Sequence, residues 1–123
     1  MIIVDTSVWI DHLRQSNPEL EEALLGNSIL LHAFVLGEIA LGSISNRRDI
    51  LEEMQQMPFA NKAEEDEIIE LIEREHFFGS GIGYVDAHLI ASTLLQTDCK
   101  LWTRDKRLEA IAHRLGIAYQ PMH

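Results

Sequence analysis

The chain has 123 residues, 46% of them hydrophobic, and twenty acidic against ten basic residues give a formal net charge of −10. This is the length of one domain, so we expect residues 1–123 to form a single domain with a buried core. No apolar run approaches the ~18 residues of a membrane span, and no secretory leader is apparent. We therefore expect a cytoplasmic protein without membrane contact, and the single cysteine excludes an internal disulfide.

The acidic net charge is unusual for a nucleic-acid-binding protein, because such proteins normally carry a basic surface. The acids are not evenly spread, however. Residues 64–75 contain seven acids and one base, whereas residues 100–114 contain five bases and two acids. The acidic excess is therefore largely one solvated helix face, and a local contact with nucleic acid remains open.

The N-terminal part of the chain alternates predicted strands and helices. The first strand is an unbroken apolar run, which is typical of a strand buried on both faces. Asn17 as N-cap, Pro18 at the first helical position and Gly26 as the stop delimit one helix clearly. In chain order we predict a strand at 1–4, helices at 7–14 and 18–25, a strand at 28–31 and a helix at 33–41.

The alternation continues to the C-terminus. Asn46 is the predicted cap of the next helix, which Pro58 ends, and three glycines between 79 and 83 indicate a tight loop. After residue 46 we predict a helix, a short strand at 57–60, an amphipathic helix from 64, a helix at 84–96, a strand at 100–103, a helix at 105–115 and a strand at 117–119. This order favours a three-layer α/β/α sandwich with a mostly parallel central sheet.

Four acidic residues stand out from this pattern. Asp5 directly follows the first strand, and Asp105 follows the strand at 100–103 in the same way. Glu38 and Asp86 are each the lone acid of a largely apolar helix. The carboxyl ends of parallel strands border the ligand-binding crevice of such sheets, so Asp5 is a candidate site residue. Helix capping would also explain three of the four, but it does not explain the mid-helix Glu38.

Four carboxylates that converge at one sheet edge would repel one another unless a divalent cation is present. Only oxygen ligands are available, without a matching set of cysteines or histidines, and this donor set favours Mg²⁺ or Mn²⁺ over zinc. His88 lies two residues from Asp86 on a helix and points elsewhere, so we do not expect a catalytic histidine. Trp9 and Trp102 are expected in the core.

Four segments together resemble one known family. They are Asp5-Thr6-Ser7-Val8-Trp9, the apolar helix around Glu38, the run from Gly81 to Ser92 and the run from Leu101 to Leu108. The chain resembles a PIN domain over essentially its whole length, and more narrowly a VapC-type ribonuclease toxin of a bacterial type II toxin–antitoxin system.

The resemblance implies that Asp5, Glu38, Asp86 and Asp105 form an acidic quartet that holds Mg²⁺ or Mn²⁺ for hydrolysis of RNA phosphodiester bonds. Asp5 and Asp86 are the expected direct ligands, and Glu38 and Asp105 are expected to act through water. Thr6, Ser7 and Thr103 are candidates for hydrogen bonds to these carboxylates, with helix capping as the alternative role. Arg104, Lys106 and Arg107 are candidates for contact with RNA phosphates.

The implied partners are the RNA substrate, a VapB-type antitoxin whose C-terminal segment covers the site, and a second copy of the chain in a homodimer. Two other functions stay open: a PIN-type nuclease of RNA processing without an antitoxin, and a non-catalytic protein-binding module. A receiver domain or an aspartate-nucleophile phosphatase is disfavoured, because Ser7 stands where a second acid would be needed.

Overall fold

The computed structural model describes residues 1–122 and centres on a parallel sheet of three short strands. The strands are β1 (Ile2–Val4), β2 (Ile29–Leu30) and β3 (Lys100–Trp102), in the order β2-β1-β3. β1 lies in the middle, where Ile3 pairs with Leu30 on one side and Leu101 on the other. Both hydrogen-bonding edges of β1 are thus paired, and its apolar run is buried because helices cover the faces of the sheet, with Ile3 and Val4 at most 1% exposed.

Two of the five predicted strands are wrong as regular strands. The segment 57–60 contributes one parallel bridge, between Phe59 and Leu31, and the segment 117–119 contributes one between Ala118 and Leu101. Each bridge adds one parallel pairing at an outer edge of the sheet, the first beside β2 and the second beside β3. Pro58 has no N–H to donate, so the first of these segments cannot continue a ladder.

In residues 1–122, seven helices flank the sheet, in the predicted number and order. They are α1 (Thr6–Arg14), α2 (Pro18–Leu25), α3 (Ala33–Leu41), α4 (Arg47–Gln55), α5 (Glu65–Glu75), α6 (Tyr84–Leu95) and α7 (Lys106–Arg114). The predicted three-layer α/β/α sandwich with a parallel sheet is confirmed. The capping predictions were correct for Asn17, whereas Asn46 takes a left-handed conformation and makes no side-chain cap bond.

α6 is the central helix of the molecule. It packs against β1 and β3, and every residue from Ala87 to Thr93 is buried. Because this stretch of the helix is buried on every side, its sequence has no polar face. Its N-terminal end, which carries Asp86, therefore lies beside the ends of the two strands. In the part of the chain described, no helix is both long and apolar enough to span a membrane.

A buried histidine ties α3 to this central helix. The Nδ1 atom of His32 accepts a hydrogen bond from the Phe34 amide at 3.0 Å, and its Nε2 lies 3.1 Å from the Ser92 hydroxyl. Burial, together with the nearby positive charges of His88 and Lys62, lowers the pKa of His32 to about 4. The neutral ring is therefore the form that the fold accommodates.

We expect the fold to lose stability as the pH falls from about 6.5 to about 4, because His32 takes up a proton in the unfolded chain before it does in the folded one. The loss from this group should be roughly 2 to 3 kcal/mol. The variant His32→Asn retains an N-cap acceptor but cannot titrate. Urea unfolding at pH 7, 5 and 4 should therefore show a flatter pH profile for His32→Asn. An identical profile in both proteins would contradict this role of His32.

Candidate active site

Asp5 is the most constrained of the four candidate acids. It follows β1 as the N-cap of α1 and is 7% exposed. Its Oδ1 accepts a hydrogen bond from the Thr6 amide at 2.8 Å. Its Oδ2 accepts from the hydroxyls of Ser7 at 2.8 Å and Thr103 at 2.7 Å. The expected contacts of Ser7 and Thr103 are thus present, and the carboxylate has a fixed orientation.

The same two hydroxyls join the loops that follow β1 and β3. Besides donating to Asp5, the Thr103 hydroxyl accepts a hydrogen bond from the Asp105 amide at 3.0 Å. The Ser7 hydroxyl accepts one from the Arg104 amide at 3.1 Å. Ser7 and Thr103 therefore hold Asp5 and the backbone of Asp105 in one network at the carboxyl end of the sheet.

Asp105 and Asp86 each use one oxygen near a helix N-terminus. Asp105 caps α7, where its Oδ1 accepts from the amides of Arg107 and Leu108 at 2.9 and 3.0 Å. Asp86 lies in the first turn of α6, and its Oδ2 accepts from the Gly83 amide at 2.9 Å. Within residues 1–122 the second oxygen of each of these carboxylates accepts no hydrogen bond, so it is available for another ligand.

Glu38 reaches the site from α3. Its Oε1 accepts a hydrogen bond from the Thr6 hydroxyl at 2.6 Å, which links α3 to the first turn of α1. Glu38 and Asp105 are exposed, Asp86 is half-buried and only Asp5 is buried. Glu38 and Asp105 therefore face solvent, whereas Asp5 and Asp86 lie deeper.

The pKa of Asp86 shows that the four acids share one electrostatic environment. Burial raises the pKa of this carboxyl most, while the hydrogen bond from Gly83 opposes the rise. The negative charges of Asp5, Asp105 and Glu38 raise the pKa of Asp86 further. Asp86 therefore lies within electrostatic range of the other three carboxylates.

Basic side chains do not neutralise this cluster. Among the described residues, none of the four carboxylates forms a salt bridge, and Arg104 pairs instead with Asp11 at 3.1 Å. Arg107 packs against the glycine loop, where an added Cβ at Gly81 would lie 2.7 Å from its Nη1. This contact joins residues far apart in the chain, so the sequence pattern gave no sign of it.

The donor set fits a hydrated divalent cation rather than a closed protein cage. In residues 1–122, no three His, Cys, Asp or Glu side chains lie close enough together to form a ready-made metal site. Mg²⁺ is usually held by only one or two carboxylates and keeps several waters or substrate oxygens. Oxygen atoms of Asp86, Glu38 and Asp105 that make no hydrogen bond match that requirement.

Trp9, Trp102 and His88 lie away from the carboxylates, as the sequence indicated. Trp9 and Trp102 are each 3% exposed and belong to the core, so they offer no surface for stacking. His88 is also buried, and its ring packs against those of Phe34 and Tyr84 rather than among the carboxylates. Sequence reasoning did not anticipate this aromatic cluster.

The fold and the site define a small α/β protein with a carboxylate cluster at the carboxyl end of a parallel sheet. The family model of the PIN domain matches residues 2–114. The chain is also 43% identical to two proteins named ribonuclease VapC32, from the CDC 1551 and H37Rv strains of Mycobacterium tuberculosis. Each match covers 96% of this chain and 95% of the relative. The chain therefore belongs to the PIN-domain family and, within it, to the VapC-type proteins.

Proposed function

We propose that residues 1–123 form one catalytic domain, a divalent-metal-dependent endoribonuclease that is the toxin of a toxin–antitoxin pair. The observation that carries this proposal is the hydrogen-bond network of Thr6, Ser7 and Thr103, which joins Asp5 to Glu38 and to the backbone of Asp105. Asp86 adds a fourth carboxylate whose pKa the other three raise, and among residues 1–122 none of the four forms a salt bridge. The ribonuclease name of relatives that match nearly the whole chain supports the choice of RNA as substrate.

The depth of each carboxylate suggests its role. Asp5 and Asp86 are the less exposed pair and are the proposed direct ligands of Mg²⁺ or Mn²⁺. Glu38 and Asp105 are exposed and would hold metal-bound water or orient the attacking water. A divalent cation at such a site activates water for attack on phosphorus and stabilises charge on the phosphate and leaving oxygens. Ser7 and Thr103 keep the Asp5 carboxylate oriented throughout.

The proposed contacts for the RNA backbone are Arg14 and Arg104, the second of which pairs with Asp11. Arg14 and Arg104 line an open groove of about 440 Å³ together with Asp11. The amide of Arg104 is bonded to the Ser7 hydroxyl, so this groove starts beside the candidate metal site. Guanidinium groups bind phosphate oxygens with two parallel hydrogen bonds. RNA binding can therefore be local in a protein with a strongly acidic net charge.

The proposed protein partners are a VapB-type antitoxin and a second copy of the chain. Among residues 1–122 the four carboxylates of the candidate site form no salt bridge, so an Arg or Lys side chain of an antitoxin could pair with them. Leu41 is 90% exposed, and Leu94 and Leu95 are 43% and 50% exposed, which suits apolar contacts between protein chains. Purification from the native operon as a lone monomer would refute both partners. It would leave the RNA-processing nuclease as the surviving alternative.

Metal removal is the direct test of the proposed chemistry. Total RNA should yield distinct fragments with Mn²⁺ or Mg²⁺, and these fragments should disappear with EDTA and return when metal is restored. Metal at 100 times its Kd should also stabilise the fold by about 2.7 kcal/mol. Cleavage that persists in EDTA would refute the metal requirement. An absence of both cleavage and stabilisation would favour the non-catalytic binding module.

A further inference from the structure

An aromatic cleft lies beside the carboxylate cluster and is not used by the proposed metal chemistry. It is lined by Phe34, Lys62, Glu64, Glu65, Tyr84 and His88, and its volume is about 410 Å³. Tyr84 is 48% exposed, although most aromatic side chains of the protein are buried or half-buried. An exposed aromatic ring in a cleft with both charges is suited to a flat, polar ligand.

The rings of this cleft support one another. His88 is only 3% exposed, and its ring lies edge-on to Phe34 at 4.6 Å and to Tyr84 at 4.8 Å between centroids. Phe34 also contacts the buried His32 ring at 5.3 Å. Edge-to-face packing of this kind stabilises aromatic groups in fixed orientations. Phe34 and Tyr84 therefore present a preformed surface.

The charged residues of the cleft complement the edge of a nucleobase. The Nζ of Lys62 lies 5.5 Å from the centre of the Phe34 ring and is a donor for base carbonyls or phosphate oxygens. Glu64 and Glu65 also line the cleft and supply acceptors for base amino and imino groups. The cleft thus combines an aromatic surface, a hydrogen-bond donor and two acceptors. This combination matches an unpaired base better than a purely apolar or purely anionic ligand.

The cleft is related to the candidate metal site through α3. Phe34 precedes Glu38 by one turn of α3, a rise of about 6 Å along the helix. Tyr84 begins α6, but its side chain and that of Asp86 two residues later face different directions, so α3 carries this relation. A nucleotide in the cleft would thus neighbour the phosphodiester at the carboxylates.

We propose that this cleft is a nucleobase-binding subsite in which an unpaired base next to the cleaved phosphodiester stacks on Tyr84, with Phe34 and Lys62 beside it. This subsite rests on the proposed ribonuclease function and adds a determinant of sequence selection to it. Its hydrogen-bonding edge is formed by Lys62, Glu64 and Glu65. The subsite accepts a base only from single-stranded RNA, because a paired base has no free face for the ring.

RNA binding should be measured in the full chain carrying Asp5→Asn, so that cleavage does not interfere. The probe is a fluorescein-labelled, random-sequence, single-stranded 12-mer RNA, and the readout is fluorescence anisotropy. Adding Tyr84→Ala should weaken binding by about 10-fold, within the range of a lost base–aromatic stack. Tyr84→Phe should bind within 2-fold of its parent. Phe59→Ala, which removes an exposed ring that does not line the cleft, should leave binding unchanged.

The variant Lys62→Gln and a measurement of antitoxin binding separate the possible outcomes. Lys62→Gln alters an exposed side chain and should weaken RNA binding several-fold without loss of the fold. Equal RNA affinity with and without Tyr84→Ala would overturn the subsite. The subsite would also be overturned if Tyr84→Ala lost antitoxin binding but kept its RNA affinity, because the cleft would then be a contact for the antitoxin.

Cleavage by chains with an intact Asp5 distinguishes failure of the subsite from failure of the proposed function. If Tyr84→Ala cleaves RNA with Mn²⁺ at the wild-type kcat/KM, the subsite is refuted and the ribonuclease stands. If the wild type binds RNA through Tyr84 but does not cleave it, the ribonuclease is refuted and the subsite stands.

Discussion

The substitution Asp5→Asn is expected to lower the rate of RNA cleavage by roughly 10³- to 10⁴-fold, the scale of loss when a central catalytic group is removed. Asp5 is the only buried carboxylate of the quartet, and its two oxygens accept three hydrogen bonds. Asparagine has nearly the same shape and retains one acceptor oxygen for the Thr6 amide. It lacks the negative charge that a divalent cation requires.

The fold should tolerate this substitution. The hydroxyls of Ser7 and Thr103 can rotate to accept from the new amide, and repulsion among the acids decreases. The pKa of Asp86 should fall toward its ordinary value, because one of the three charges that raise it is removed. Single-turnover cleavage and an NMR titration of Asp86 measure these two effects. The control Asp66→Asn makes the same change on the exposed face of α5, so wild-type cleavage is expected. An active Asp5→Asn enzyme would contradict the assignment.

The substitution Thr103→Val should produce the second-largest loss, through the orientation of Asp5. Thr103 is 5% exposed, and its hydroxyl donates to Asp5 while it accepts from the amide of Asp105. Valine has the same shape but leaves both groups without this partner. Loss of a group that orients a metal ligand typically costs about 10- to 100-fold in metal affinity or activity. Stability should fall by about 1 to 3 kcal/mol.

Thr103→Ser is the matched control, because serine restores the hydroxyl and removes only a methyl group. Cleavage by Thr103→Ser should therefore lie close to wild type, and cleavage by Thr103→Val far below it. Measurements of kcat/KM at several Mn²⁺ concentrations should show a higher metal requirement for Thr103→Val. If serine and valine variants were equally impaired, the loss would come from packing rather than from the hydroxyl.

Much of the fold could be predicted because its signals are local. Asn17, Pro18 and Gly26 mark the ends of α2 within a few residues, and the apolar run of β1 reveals a central strand. The two edge segments at 57–60 and 117–119 were predicted as strands because they are short and apolar. Each makes a single bridge, and whether such a segment extends a ladder depends on partners distant in sequence.

The candidate site was predictable where chain position alone implies it. Asp5 and Asp105 each follow a strand, and parallel strands bring their carboxyl ends together. The exposure of Glu38 was not predictable, because a lone acid on an apolar helix can lie on its solvent side. The contact of Arg107 with Gly81 and the cleft around Tyr84 depend on packing between separate elements, which no local pattern reports.

Calorimetric titration of Mn²⁺ into the metal-free wild type tests the central claim most directly, beside the four single variants Asp5→Asn, Glu38→Gln, Asp86→Asn and Asp105→Asn. The account predicts that Asp5→Asn and Asp86→Asn weaken Mn²⁺ binding most and that Glu38→Gln and Asp105→Asn weaken it less. The control Asp66→Asn should bind Mn²⁺ as the wild type does. Undiminished Mn²⁺ binding by all four variants would contradict the assignment of these carboxylates as one metal site.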